Sequence, residues 1–308
     1  MNTCPITYLP CEATYSEKGL KQISPKLTNL NPLDYTAEDL RYEASVRASK
    51  ISIQGVQPKL SAVISLKEEK FNIVDIHGKY ILKPQHHIFK QVPENEDLSM
   101  KLAALSGIEV PLHGLVYSKD GSLTYFIKRF DRLGRNKKVA VEDFAQLAGL
   151  SRETKYNYTI EKLIGLVDTY CTFPVIEKAK LYNRIIFNFL IGNEDMHLKN
   201  YSIIIKESKA ELSPGYDFLN TTILLKGDIE ETALKLKGKN KNMNRELLVD
   251  YLGAERMNLA SKIIDNILSN FSFRKTDYEK MIGASFLSDK NKEKYKLLID
   301  RRFSVLYL

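Results

Sequence analysis

The sequence has few cysteines and no long apolar run. Its three cysteines, Cys4, Cys11 and Cys171, cannot all pair, and they are far fewer than in small secreted proteins that depend on disulfides. No stretch approaches the roughly 20 apolar residues of a membrane-spanning helix. The first residues also lack the basic region and apolar core of a secretory signal. We therefore expect a cytoplasmic protein with reduced thiols, and we leave export as an effector open.

Two signatures of nucleotide binding are also missing. The chain contains neither a G-x-x-x-x-G-K-[ST] phosphate loop nor a G-x-G-x-x-G series. What it does contain is an excess of basic side chains, 46 Lys and Arg against 38 Asp and Glu, for a net charge of +8. Such a surface favours ATP, an acidic protein or a nucleic acid, without selecting one of them.

The pattern of apolar residues divides the chain into a strand-rich and a helix-rich part. β-branched and aromatic residues indicate strands over residues 60–66, 72–76, 80–82, 115–118 and 123–130. Helical spacing indicates helices over 37–44, 95–106 and 177–191, and three or four more between 244 and 304. The rest of residues 1–50 is predicted to be irregular. The sequence therefore predicts a two-lobed α+β protein, with an N-lobe over 1–131 and a C-lobe over 132–308.

A group of acidic and amide residues follows the helix predicted at 177–191. Asp195 precedes Asn200 by five residues, and Asp217 lies 17 residues beyond Asn200. Protein kinases place their base and two magnesium ligands in this order. The Asp base accepts a hydroxyl proton, while Asn and Asp oxygens hold Mg²⁺ against phosphates. A polar loop that caps the helix is the plain alternative, but the apolar elements on both sides favour a catalytic loop.

Two further segments are suited to phosphate binding. In the segment 52–59, Gly55 lies before a strand and lets backbone N–H groups approach phosphate oxygens. Lys83 ends an apolar strand and could reach the α- and β-phosphates, with Glu96 of the next helix as its anchor. Alone, each feature also fits an ordinary loop, a surface lysine or an acidic first helical turn.

Taken together, these segments resemble the HipA family of bacterial serine/threonine kinase toxins. The matching pieces run in order along the chain, at residues 52–59, 81–83, 93–96, 127–132, 141–146, 191–200 and 216–217. The helical remainder to residue 308 carries less of the signature. The resemblance implies a protein-kinase-like fold of the α+β class.

The resemblance also implies roles for individual residues. Asp195 would be the catalytic base, and Asn200 and Asp217 the Mg²⁺ ligands. Ser52 would be a loop serine whose autophosphorylation expels the loop and stops the kinase. The implied nucleotide-binding residues are Gln54, Gly55, Val56, Gln57, Pro58, Lys59, Lys83, the hinge Lys128, Arg129 and Phe130, and His197, Lys199, Asn200, Tyr216 and Asp217.

The family further implies cofactors and partners. The cofactors are ATP and Mg²⁺, and the substrate is a protein, with the tryptophanyl- and glutamyl-tRNA synthetases as family targets. In HipA itself, the N-terminal subdomain before the phosphate loop is larger than the segment that precedes this loop here. The chain therefore resembles the short HipT branch. In that branch the subdomain is a separate small antitoxin. A DNA-binding antitoxin is a further expected partner, and no membrane partner is expected.

Two other functions fit the same residues. A base and metal ligands do not define the acceptor, so a kinase for a small molecule or lipid remains open. A non-catalytic partner in a DNA-bound repressor complex would use the basic surface. Its signature would be a helix-turn-helix or a dense basic helix, and the nearest candidate, residues 235–241, contains Gly238. Intact Lys83, Asp195, Asn200 and Asp217 favour the kinase, since a binding module needs none of them.

Overall fold

A computed structural model describes residues 2–47, 57–134, 137–150, 156, 158–225 and 230–308. Within it the chain forms two compact units. The first comprises residues 1–98, 111–136 and 283–288, and the second comprises 99–110, 137–282 and 289–308. The first unit thus contains most of the predicted N-lobe, although residues 99–110 group with the second unit. The assignment of kinase lobes over 1–131 and 132–308 stays a prediction.

The first unit is built on a five-stranded antiparallel sheet of order β4-β3-β5-β7-β6. Its strands are β3 (Leu60–Ser65), β4 (Lys70–Ile73), β5 (Tyr80–Lys83), β6 (His113–Tyr117) and β7 (Leu123–Lys128). The five strands predicted between residues 60 and 130 are confirmed, with ends that differ by up to three residues. In the central pair, Leu82 lies opposite Phe126, and both are fully buried. Consecutive residues of β6 and β7 are buried, so both faces of these strands are covered.

Residues 1–50 are more regular than predicted. A two-stranded ribbon of β1 (Asn2–Thr3) and β2 (Pro10–Cys11) precedes helix α1 (Glu17–Ile23). The Ser16 hydroxyl caps α1 by accepting a hydrogen bond from the N–H of Gly19. Helix α2 spans Ala37–Arg47 and is three residues longer than predicted. The irregular prediction was wrong for α1, because a seven-residue helix is too short to show a clear apolar period.

Helix α3 (Val92–Leu105) ends before Gly107, whose φ of 76° suits glycine at the end of a helix. The helix begins three residues earlier than predicted.

The second unit combines a small sheet with most of the helices. Strands β10 (Val141–Asp143), β11 (Ser202–Lys206) and β12 (Lys209–Leu212) form an antiparallel sheet of order β10-β11-β12. The two-residue strand β9 (Lys137–Lys138) also belongs to this unit, whereas β8 (Arg132–Leu133) belongs to the first. The helices are α4 (Phe144–Leu147), α5 (Ile160–Tyr170), α6 (Pro174–Ile191), a π-helix (Glu246–Arg256), α7 (Ser261–Ala284) and α8 (Asp289–Leu306).

Helix α6 is the central helix of this unit. Its apolar stripe, predicted from the sequence, is buried throughout, with Leu181, Ile186, Phe189 and Leu190 at 0% exposure. The helix contacts α5, α8 and the π-helix, which explains why its second half is buried nearly all round. The three helices between residues 246 and 306 confirm the helical C-terminal part. Across the described ranges, every helix is too short or too polar to cross a membrane.

Candidate active site

The loop that carries Asp195 begins at Gly192, which ends α6 with a left-handed backbone. Its φ of 68° is strained for other residues. A Cβ at this position would also lie 2.5 Å from both Leu298 and Thr222. Because both conformation and space require glycine, α6 ends at a fixed point and the following loop leaves in a fixed direction.

The carbonyl of Gly192 joins this loop to the segment that follows Asp217. It accepts hydrogen bonds from the backbone N–H groups of Thr221 at 3.0 Å and Thr222 at 3.2 Å. The hydroxyl of Thr221 donates to the same oxygen at 3.1 Å and accepts from the N–H of Glu194 at 2.8 Å. The Thr222 hydroxyl lies 2.6 Å from the Glu194 carboxylate. The structure therefore brings together the two segments that carry the predicted base and the second predicted metal ligand.

Asp195 and Asn200 are held in one hydrogen-bonded loop. The carbonyl of Asp195 accepts from the N–H of His197 at 2.8 Å and from the side-chain Nδ2 of Asn200 at 3.0 Å. A 3₁₀ turn, Leu198–Asn200, closes the loop. The Asp195 side chain is about half exposed (53%), whereas that of His197 is buried (6%), with its Nε2 3.9 Å from Asp195 Oδ1. The predicted base thus faces outward on a rigid turn.

Asp217 has a left-handed backbone, with φ at 57°. This region is uncommon for residues other than glycine and often marks functional positions. Both neighbours hold it in place. The Tyr216 hydroxyl donates to the carbonyl of Lys199 at 3.0 Å, and the fully buried Phe218 ring packs edge-on against Phe187 at 5.2 Å. Since Tyr216 and Lys199 are in contact, the predicted residues of the second unit form one connected set.

In the first unit, Lys83 forms an ion pair with Glu96. Both side chains are almost fully buried, at 3% and 2% exposure, and the Lys83 ammonium also lies 5.5 Å from the centre of the Tyr125 ring. The burial of Lys83 excludes the alternative that it is an ordinary surface lysine at the end of a strand. The pairing matches the Lys–Glu ion pair that protein kinases require.

The predicted hinge and residues 57–59 of the predicted phosphate loop also lie in the first unit. Lys128 donates its N–H to Leu112 at 2.8 Å, and Arg129 donates its N–H to Lys79 at 2.8 Å. Gln57, Pro58 and Lys59 directly precede β3. Ser52, Gln54, Gly55 and Val56 lie outside the described residues, so their roles stay predictions.

Sequence reasoning missed a residue that contacts the loop of the predicted base. The hydroxyl of Tyr156 donates a hydrogen bond to Asp195 Oδ1, and its ring meets the His197 ring edge-on at 5.1 Å. Burial and the hydrogen bond to Asp195 raise the pKa of Tyr156 above its ordinary value. No local pattern marks this tyrosine, which lies 39 residues before Asp195.

Comparison with known proteins agrees with the fold. A family model described as the HipA-like C-terminal domain matches residues 51–275. A Haemophilus influenzae protein provisionally named a kinase is 27% identical over 326 residues, which cover 93% of this chain and 92% of that protein.

One further sequence relative and two solved structures add to this picture. HipA of Shewanella oneidensis, named a serine/threonine-protein kinase toxin, is 29% identical over 194 residues, or 56% of this chain and 43% of the toxin. HipA from the same organism, solved with HipB and operator DNA, has a TM-score of 0.71 at 21% identity and covers 91% of this chain and 74% of its own. The Helicobacter pylori proinflammatory kinase CtkA has a TM-score of 0.55 at 15% identity, covering 79% and 90%. The predicted kinase-like α+β fold is confirmed. The aligned region, however, spans less than half of the HipA toxin sequence.

Proposed function

The chain belongs to the family of HipA-like C-terminal domains, and on this basis we propose that it is an ATP- and Mg²⁺-dependent protein serine/threonine kinase. The observation that carries the proposal is the geometry of the catalytic loop. Asn200 is tied by its Nδ2 to the backbone of Asp195, while Asp217 has the left-handed backbone described above. The name of the HipA toxin supports serine or threonine as the acceptor.

The residues present fit Mg²⁺ and ATP. Because Nδ2 of Asn200 is used as a donor, its Oδ1 remains as an oxygen acceptor. With the carboxylate of Asp217 it supplies the hard oxygen ligands that Mg²⁺ prefers. When bound, the ion neutralises charge on the phosphates. Lys83, buried beside Glu96, fits a fixed positive charge for phosphate binding.

In the proposed reaction the oxygen of the acceptor hydroxyl bonds to the γ-phosphorus of ATP, and ADP leaves. Asp195 takes the proton of that hydroxyl. Gln54–Lys59 would cover the phosphates, and the backbone of Lys128–Phe130 would hold the adenine. His197 and Lys199 would lie along the nucleotide with Tyr216. We assign these roles from the family, and the geometry of Asp195 and Asn200 supports the central step.

We further propose a toxin of a toxin–antitoxin system. Its candidate substrates are the tryptophanyl- and glutamyl-tRNA synthetases, and its candidate partners are a small antitoxin and a DNA-binding antitoxin. The support is the HipA relative, whose structure was solved with HipB and operator DNA. A small-molecule or lipid kinase is the second candidate, because the base and metal ligands leave the acceptor open.

The deciding experiment is incubation of the protein with γ-labelled ATP, Mg²⁺ and a whole-cell lysate, followed by mass spectrometry of the labelled proteins. We expect label on serine or threonine of a protein such as an aminoacyl-tRNA synthetase, and none with Asp195→Asn. Label confined to small molecules or lipids would support the second candidate.

Autophosphorylation at Ser52 is tested separately. A phosphate adds about −1.5 to −2 charges beside the phosphates of ATP, so it should disfavour the closed loop. We expect the intact mass of purified protein to include one phosphate on Ser52 that is missing from Asp195→Asn. Equal masses for the two proteins would remove self-inactivation from the proposal.

A further inference from the structure

The hydroxyl of Tyr156 contacts a carboxylate oxygen of the proposed base. It donates to Asp195 Oδ1, the same oxygen that lies 3.9 Å from His197 Nε2. The Tyr156 ring also covers His197 edge-on at 5.1 Å. A single side chain therefore contacts the base through its hydroxyl and the neighbouring histidine through its ring.

The contact reproduces the chemistry of an acceptor. A serine, threonine or tyrosine substrate must place its hydroxyl within hydrogen-bond reach of the base before phosphoryl transfer. Tyr156 presents the same group, an O–H donor to a carboxylate oxygen. A tyrosine hydroxyl keeps its proton at neutral pH and is a donor there. Burial and the hydrogen bond to Asp195 raise the pKa of Tyr156 further.

Both residues are accessible to solvent, which an exchange of this contact requires. The Asp195 side chain is 53% exposed and Tyr156 is 44% exposed. Neither is locked in the core, unlike the fully buried Tyr182 and Tyr278. A hydrogen bond between such exposed groups is weak enough for an incoming hydroxyl to replace it.

Resting on the proposed kinase function, we propose that Tyr156 occupies the acceptor-hydroxyl subsite formed by Asp195 and His197. Tyr156 competes there with the acceptor, whose hydroxyl must displace it before the proton can pass to Asp195. The subsite accordingly takes an aliphatic or phenolic hydroxyl whose carbon framework packs against the His197 ring.

The test compares the same substitution, tyrosine to phenylalanine, at positions 156 and 158. Tyr156→Phe keeps the ring against His197 and deletes only the donor. Tyr158→Phe removes a hydroxyl two residues away, on a ring whose neighbour is Lys162, 5.7 Å from its centre, and it serves as the matched control.

The first measurement reports the contact without any catalysis. The protein is labelled with ¹³Cζ-tyrosine, and the NMR signal of Tyr156 is identified by its loss in Tyr156→Phe. This signal should titrate at a higher pH than that of free tyrosine. Asp195→Asn should bring it back toward the ordinary value. A Tyr156 signal that is unchanged by Asp195→Asn overturns the contact and the proposal with it.

The second measurement reports competition, with water as the acceptor. ADP release from Mg²⁺·ATP, without added protein acceptor, should rise about three- to tenfold in Tyr156→Phe, consistent with the loss of one hydrogen bond. The KM for ATP should not change, and Tyr158→Phe should match wild type. Unchanged or slower ADP release in Tyr156→Phe overturns the proposal, because the hydroxyl then does not block the base.

Failure of the kinase function gives a different result. In that case wild type shows neither ADP release nor stabilisation by Mg²⁺·ATP, whatever the NMR titration reports. The acceptor-subsite proposal then falls as well, since there is no acceptor for Tyr156 to displace.

Discussion

The side-chain amide of Asn200 donates a hydrogen bond of 3.0 Å to the backbone carbonyl of Asp195. That carbonyl also accepts from the N–H of His197 at 2.8 Å. The backbone of the proposed base therefore orients a proposed metal ligand. Phosphoryl transfer depends on such fixed relative positions, since the catalysis consists mainly of positioning and charge stabilisation.

Asp195→Asn should strongly reduce phosphoryl transfer while Mg²⁺·ATP binding persists. The substitution deletes the proton acceptor and keeps the shape, so we expect kcat to fall about 10²- to 10⁴-fold. Asp217→Asn should instead weaken Mg²⁺·ATP binding. Labelling with γ-labelled ATP and thermal shift with Mg²⁺·ATP separate the two effects. Asp168→Asn, which removes a surface partner of Lys178, is the control. Full transfer activity in Asp195→Asn would disprove the assignment of the base.

Lys83→Met should remove the stabilisation that Mg²⁺·ATP gives to the folded protein. It also leaves the buried Glu96 carboxylate without the partner it has in the structure, which costs about 3–5 kcal/mol for a buried pair. The double variant Lys83→Met, Glu96→Gln removes both charges and should recover much of the stability but no ATP binding. Chemical denaturation and a thermal-shift titration with ATP measure the two quantities.

Lys70→Ala is the matched control for Lys83, because Lys70 pairs with the exposed Asp34. A loss of ATP stabilisation in this variant would point to net charge rather than to Lys83. Normal ATP stabilisation in the double variant would show that Lys83 does not bind phosphate.

Gly192→Ala should destabilise the second unit and lower kinase activity. Alanine is strained at a φ of 68°, and its Cβ would lie 2.5 Å from Leu298 and Thr222. We expect a loss of about 2 kcal/mol or more. Gly165→Ala in α5 is the control, since nothing lies within 4 Å of its added Cβ. It should stabilise the helix by about 0.5–1 kcal/mol. Equal unfolding free energies for the two variants would contradict this explanation of Gly192.

Glu94 should make the stability of the first unit depend on pH. Burial raises the pKa of its carboxyl to about 7, although Gln85 donates hydrogen bonds to it. The unfolded chain loses this proton near the ordinary value of 4.5, so the contribution of Glu94 to stability falls as pH rises from there to about 7. Glu94→Gln removes this penalty and should gain up to about 3 kcal/mol above pH 7.

Urea unfolding at pH 4.5 and pH 8 measures the effect, which should be close to zero at the lower pH. Glu12→Gln, at an exposed position, should show no such dependence. A gain from Glu94→Gln that is the same at both pH values would mean that ionisation of Glu94 is not its cause.

The sequence alone determined the features that depend on local pattern. The apolar stripe of α6 predicted a helix, because burial of one face imposes a helical period on the sequence. The β-branched and aromatic residues of β3, β5 and β7 predicted strands, because such residues favour extended structure. The order and spacing of Asp195, Asn200 and Asp217 indicated kinase chemistry from the sequence alone. Asp195 and Asn200 lie in one loop, and Asp217 follows the strands β11 and β12.

The tertiary structure decided which distant groups meet. Three contacts have no periodic signature in the sequence. They are the burial of Lys83 against Glu96, the hydrogen bonds among Gly192, Glu194, Thr221 and Thr222, and the hydrogen bond from Tyr156 to Asp195. Each joins residues that only the packing of the chain brings within hydrogen-bond distance. Sequence periodicity records which face of an element is buried, and it carries no information on the partner that covers that face.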